Sequence, residues 1–197
     1  MRLGRSIGRL AAVIAMTSFS TASAQQAADP PDTNTSLEYR IEISQHEQLV
    51  KTRTSAGAKL APFASDGCSG GLSVGWNLVS STFPEIARLH GDQPPWERCC
   101  LAHDRLYHTG GPVNADAKMS FEARRAADEQ LRQCVMEVGE ERTEDLATAY
   151  GLSRERVILL YRATAEIMYR AVRLGGAPCT PLPWRWGFGW PLCKEGQ

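Results

Sequence analysis

Residues 99–108 read CCLAHDRLYH, and the rest of the chain is interpreted outward from this stretch. At about 100° per residue, Cys99, His103 and Tyr107 share one stripe of a helix, whereas Cys100 and Asp104 share another. The adjacent cysteines therefore point in different directions, and their oxidation would tie the helix to two separate elements. Such a support would hold His103 and Asp104 rigidly side by side, as a catalytic site needs.

Local signals give the limits of this helix. It is predicted to begin at residues 94–97 (PPWE), because proline suits the first turn of a helix. It is predicted to stop at Gly110-Gly111, which suits a left-handed C-cap.

Further helices are predicted on either side. The second runs from an N-cap at Asn114 to about Val138 and ends at Gly139. The third runs from near Ser153 to just before Gly175, with one apolar side formed by Val157, Leu160, Tyr161, Met168 and Val172. A weaker helical pattern covers residues 36–54, and a Gly- and Ser-rich loop covers 62–75. The predicted class is mostly α.

Residues 1–24 have the pattern of a secretory signal peptide. A basic start precedes a short apolar stretch and the cleavage signal Ala22-Ser23-Ala24. The apolar stretch is too short to span a bilayer, so an uncleaved anchor is the less favoured alternative. Residues 25–35 are expected to be a flexible leader, and residues 36–197 a single domain. We therefore expect a secreted or periplasmic protein with no transmembrane span in the mature chain.

Charge and cysteine content narrow the class of protein. The chain has 22 basic and 22 acidic residues, without the basic excess that binding to nucleic acid requires. Six cysteines in an exported chain favour three disulfides and leave their pairing open. A zinc site is the alternative, because Cys99 and His103 would share a helical face.

The second predicted helix contributes Asp128 and Cys134. Such an acid is more often exposed on the helix surface. If Cys134 is bonded to the first helix, however, the two helices lie side by side. Asp128 can then face His103 and hold its imidazole in one tautomer.

These motifs resemble those of the secreted phospholipase A2 superfamily over about residues 62–136. CCLAHDRLYH is similar to the signature C-C-x-x-H-D-x-C-Y, and DGCSGG (residues 66–71) resembles the glycine-rich calcium loop. Asp128 and Cys134 keep the spacing of the family's second helix. Leu106 and Ala127 stand where the family has a disulfide, so both halves of that bridge are absent together.

The resemblance implies a role for each matching residue. His103 would be the general base, Asp128 its orienting partner, and Tyr107 a support for Asp128. Asp104 would be a bidentate ligand of Ca2+, together with loop carbonyls from Gly67, Ser69 and Gly71. The implied disulfides are Cys99–Cys134, Cys68–Cys100 and Cys179–Cys193.

The implied fold has two long, antiparallel, disulfide-linked helices after a calcium loop, with an additional C-terminal helix and an aromatic tail. The implied activity is calcium-dependent hydrolysis of the sn-2 acyl ester of glycerophospholipids in membranes or micelles. A His titrating near neutral pH can activate water, and no G-x-S-x-G elbow is present for a serine mechanism. The alternative is a catalytically silent module that binds lipid or protein.

The tail allows two interpretations. It contains Trp184, Trp186, Phe188 and Trp190, and tryptophan is enriched at membrane–water boundaries. The segment would either dock on lipid or, as the favoured alternative, form a disulfide-closed flap whose rings pack on the core.

Overall fold

The computed structural model describes residues 36–65, 67–68, 76, 81–82, 88–91 and 93–193. The predicted signal peptide and leader lie outside these residues, as do Asp66, Ser69 and Gly71 of the glycine-rich loop. All described residues belong to one unit, Asp32–Gln197. No strand occurs among these residues, and five helices have described bounds: α1 (Leu37–Thr54), α2 (Glu97–Thr109), α3 (Ala117–Glu141), α4 (Thr143–Tyr150) and α5 (Arg154–Gly175). The predicted mostly α class is confirmed.

Helix α2 ends where the sequence predicts. Gly110 adopts a left-handed conformation with φ of 68°, and its N–H donates to the carbonyl of Leu106. A side chain is strained at this φ, which explains the glycine. Helix α5 also follows its start signal, because Ser153 is its N-cap and accepts a hydrogen bond from the N–H of Arg156.

The limits of α3 differ from the prediction. Its N-cap is Asp116, two residues after the predicted Asn114, and the Asp116 carboxylate accepts a hydrogen bond from the N–H of Met119. The helix also continues through Gly139 to Glu141. A Cβ at Gly139 would lie 2.4 Å from the side chain of Tyr161, so this glycine allows close contact between α3 and α5. It does not terminate the helix.

The main core lies between α3, α4 and α5. Its buried members include Leu131, Val135, Val138, Leu146, Val157, Tyr161, Ala165 and Met168. Leu160 was predicted on the apolar side of α5 but is 54% exposed. None of the described helices is both long and apolar enough to cross a membrane.

A smaller core joins the aromatic tail to the helices. Trp186 is 1% exposed and packs with Leu49, Tyr107 and Ala127. Its Nε1–H donates to the Ser120 hydroxyl at 3.0 Å. Trp186 therefore packs on the core, as the flap interpretation of the tail requires.

Candidate functional site

Disulfides fix the two helices that carry the candidate site. Cys99–Cys134 joins α2 to α3, and Cys68–Cys100 joins the glycine-rich segment to α2. Cys179–Cys193 closes the tail. These are the pairings that the resemblance implies. All six cysteines are bonded, which leaves no thiolate for the alternative zinc site.

His103 and Asp128 meet in the interior between α2 and α3. The distance from His103 Nε2 to Asp128 Oδ1 is 3.0 Å, and the two residues are 6% and 0% exposed. The reading of Asp128 as an exposed surface acid is therefore wrong. Because a carboxylate only accepts, the Nε2 atom carries the proton. In the neutral ring this leaves the lone pair on Nδ1.

Tyr107 supports the same carboxylate. Its hydroxyl donates to Asp128 Oδ1 at 2.6 Å, and its ring centroid lies 4.1 Å from that of His103. Burial, followed by the charge of Asp128, raises the pKa of Tyr107 well above its ordinary value. The phenol therefore stays protonated and keeps donating to Asp128.

Three charged residues complete the surroundings of Asp128, and none was predicted. Arg173 Nη1 donates to Asp128 Oδ2 at 3.0 Å, and Arg124 Nε donates to the Tyr107 hydroxyl at 3.2 Å. Glu42 accepts hydrogen bonds from both guanidinium groups. The i, i+4 spacing of Arg124 and Asp128 was a usable sequence signal. No local pattern pointed to Glu42 or Arg173.

Asp104 lies on α2 next to His103 and faces the glycine-rich segment. Its Oδ2 atom accepts a hydrogen bond from the Ser65 hydroxyl at 2.5 Å, and that hydroxyl also accepts one from the N–H of Gly67. Gly67 has φ of 74°. The structure thus brings Asp104 and Gly67 together, whereas the other two predicted loop ligands lie outside the described residues.

A cleft opens beside these residues. Gly67, His103 and Asp104 line it together with the apolar residues Leu131, Met168, Ala171, Val172 and Trp184. The arrangement places an imidazole and a carboxylate on a cleft whose other lining residues are mostly apolar.

Ca2+ is a hard cation that prefers carboxylate and carbonyl oxygens. No group of three or more His, Cys, Asp or Glu side chains suited to a metal occurs within the described ranges. The implied Ca2+ site does not need such a group, because it uses one carboxylate together with main-chain carbonyls. Asp104 and Gly67 both line the cleft, and a carboxylate and a main-chain carbonyl are donors of the kind that a hard cation prefers.

No family model matches the chain, and neither the curated proteins nor the solved structures include a match. The resemblance to secreted phospholipases A2 therefore rests on the motifs quoted above.

Proposed function

We propose that this chain is a calcium-dependent hydrolase of the phospholipase A2 type, which cleaves the sn-2 acyl ester of glycerophospholipids with an activated water. The observation that carries the proposal is the 3.0 Å contact between His103 and the fully buried Asp128 at the wall of a cleft. This pairing leaves Nδ1 of a neutral imidazole as the base.

The proposed chemistry follows from that tautomer. A water molecule in the cleft gives its proton to Nδ1 of His103 as its oxygen attacks the ester carbonyl. Asp128 then stabilises the imidazolium through the hydrogen bond from Nε2. The imidazolium afterwards returns the proton to the leaving alcohol. No acyl-enzyme intermediate is formed.

Asp104 and the carbonyl of Gly67, with those of Ser69 and Gly71, are the residues proposed to hold Ca2+. When bound, a hard cation polarises the ester carbonyl and stabilises the charge that develops on its oxygen. Asp104 neighbours His103 on α2 and both line the cleft, so metal binding and proton transfer would occur in the same cleft.

The apolar lining of the cleft supports the choice of substrate. Five apolar side chains from α3, α5 and the tail line it, and an acyl chain is the apolar part of a glycerophospholipid. The three disulfides support the proposed export, because disulfides persist mainly in oxidising compartments.

The test measures the release of labelled fatty acid from the sn-2 position of glycerophospholipids in micelles, with Ca2+ or with a chelator. We expect activity only with Ca2+, and we expect His103→Gln to reduce kcat by about 10²–10⁴-fold through loss of the general base. His90→Gln is the matched control, because His90 contacts Tyr150 and does not line the cleft.

Equal release by the wild type and His103→Gln, or equal release with chelator, would refute the mechanism. Specific binding of micelles by a folded protein without hydrolysis would instead identify the catalytically silent module.

A further inference from the structure

The C-terminal turn of α5 reaches into the candidate site through Arg173. While its Nη1 donates to Asp128 Oδ2 at 3.0 Å, its Nη2 donates to Glu42 Oε1 and Oε2 at 3.0 and 2.7 Å. One guanidinium thus joins α1, α3 and α5. Its planar fork reaches the two carboxylates from two separate nitrogens, whereas an ammonium group would have to reach both from a single nitrogen.

Arg124 holds this arrangement from the other side. It is fully buried, and its Nη2 donates to the carbonyls of Val172 and Arg173, both at 2.8 Å. These carbonyls belong to the last turn of α5, where that of Val172 also accepts a hydrogen bond from the N–H of Gly176. Arg124 therefore caps α5 at the residue that contacts Asp128.

The Asp128 carboxylate is therefore held by hydrogen bonds at both of its oxygens. Oδ1 of Asp128 accepts from His103 and Tyr107, and Oδ2 accepts from Arg173. The terminal torsion of an aspartate is intrinsically broad, so a contact on one oxygen alone does not fix the carboxylate plane. The contact of Arg173 on Oδ2 restricts that rotation.

We propose that Arg173 is a positioning residue of the reaction, with Glu42 and Arg124 holding it in place, and that it acts by fixing Asp128 and through it the His103 ring. This inference rests on the proposed function. It also assigns a catalytic purpose to α1 and α5, which lie outside the segment that carries the phospholipase resemblance. Two guanidinium groups and two carboxylates balance one another in this buried cluster.

The kinetic test uses Arg173→Gln and Arg173→Lys, with Arg170→Gln as the matched control. Arg170 lies on the same helix, is 78% exposed and contacts Glu166. We expect kcat to fall about 10- to 100-fold in both Arg173 variants, with KM nearly unchanged, because a misplaced base affects the chemical step. The control should retain wild-type kcat.

A double-mutant cycle separates positioning from a general structural effect. If Arg173 acts through Asp128, adding Arg173→Gln to Asp128→Asn should lower kcat no further. An additive loss, or wild-type kcat in Arg173→Lys, would overturn the proposal.

A second readout does not depend on activity. The Nε2 proton of His103 should give a downfield proton resonance in NMR spectra, assigned by its absence in His103→Gln. We expect it to shift or disappear in Arg173→Gln and to remain in Arg170→Gln. If Arg173→Gln does not fold, Arg173→Lys serves for the same comparison.

The kinetic and NMR measurements distinguish a failure of the positioning role from a failure of the proposed function. An unchanged resonance in the folded Arg173 variant overturns the positioning role. If the wild-type protein instead lacks phospholipase activity while the resonance still changes in the Arg173 variant, that result supports the positioning of Asp128 and refutes the proposed function.

Discussion

Glu42 offers the sharpest test of the buried charge cluster, through the variant Glu42→Gln. The carboxylate accepts hydrogen bonds from Arg124 and Arg173, and Arg124 is fully buried. The variant keeps the shape of the side chain but removes its charge. Two guanidinium groups then lose their shared counter-ion in the interior, where an unpaired charge is costly.

The magnitude follows from the pKa of Glu42. Burial raises it, but the close approach of His46 and the charges of Arg124 and Arg173 outweigh burial and lower it from 4.5 to about 2. A difference of this size corresponds to about 3 kcal/mol at neutral pH. The side chain is still 16% exposed, and solvent screening reduces the figure to about 2 kcal/mol. Breaking a buried pair from one side costs about 3–5 kcal/mol, so we expect about 2–4 kcal/mol.

The assay is urea unfolding with the disulfides intact, for the wild type and the variant between pH 7 and pH 2.5. Because the pKa of Glu42 is lower in the folded chain, its contribution is complete above about pH 4.5 and is lost as the pH falls towards about 2. The difference between the two proteins should therefore shrink on acidification.

The matched control is Glu141→Gln. Glu141 pairs with Arg98, and both side chains are 58% exposed, so removing this charge should cost less than about 1 kcal/mol. A loss in Glu42→Gln no larger than in this control, or one of equal size at pH 7 and pH 2.5, would refute the reasoning.

Two further changes test the packing. Gly139→Ala should destabilise the protein by about 1–3 kcal/mol, because the new Cβ would lie 2.4 Å from Tyr161; a melting temperature at or above that of the wild type would contradict this close contact. Replacing Cys179 and Cys193 by serine opens a loop with a sequence separation of 14 residues and should cost about 3 kcal/mol in chemical unfolding. An unchanged unfolding midpoint would show that the tail is held without this bridge.

The limits of α2 and the start of α5 were predictable because they depend on local chemistry. A glycine in the left-handed conformation ends α2 at Gly110, and a serine side chain caps the N-terminus of α5 at Ser153. The contact between His103 and Asp128 was foreseen only on the condition that a disulfide joins the two helices, a pairing that the resemblance implied. Residues 25 positions apart on different helices are brought together by tertiary packing, which no single-helix periodicity encodes.

The sequence by itself determined the helical class, the HD pair at residues 103–104 and the cysteines available for bonding, since these depend on residue type and short-range spacing. Tertiary structure alone decided that Gly139 is a contact with Tyr161, and that Glu42 and Arg173 meet across 131 positions. The physical reason is that steric contact and buried charge pairing depend on distance in space. The same glycine or arginine has a different role wherever the packing of distant helices places it.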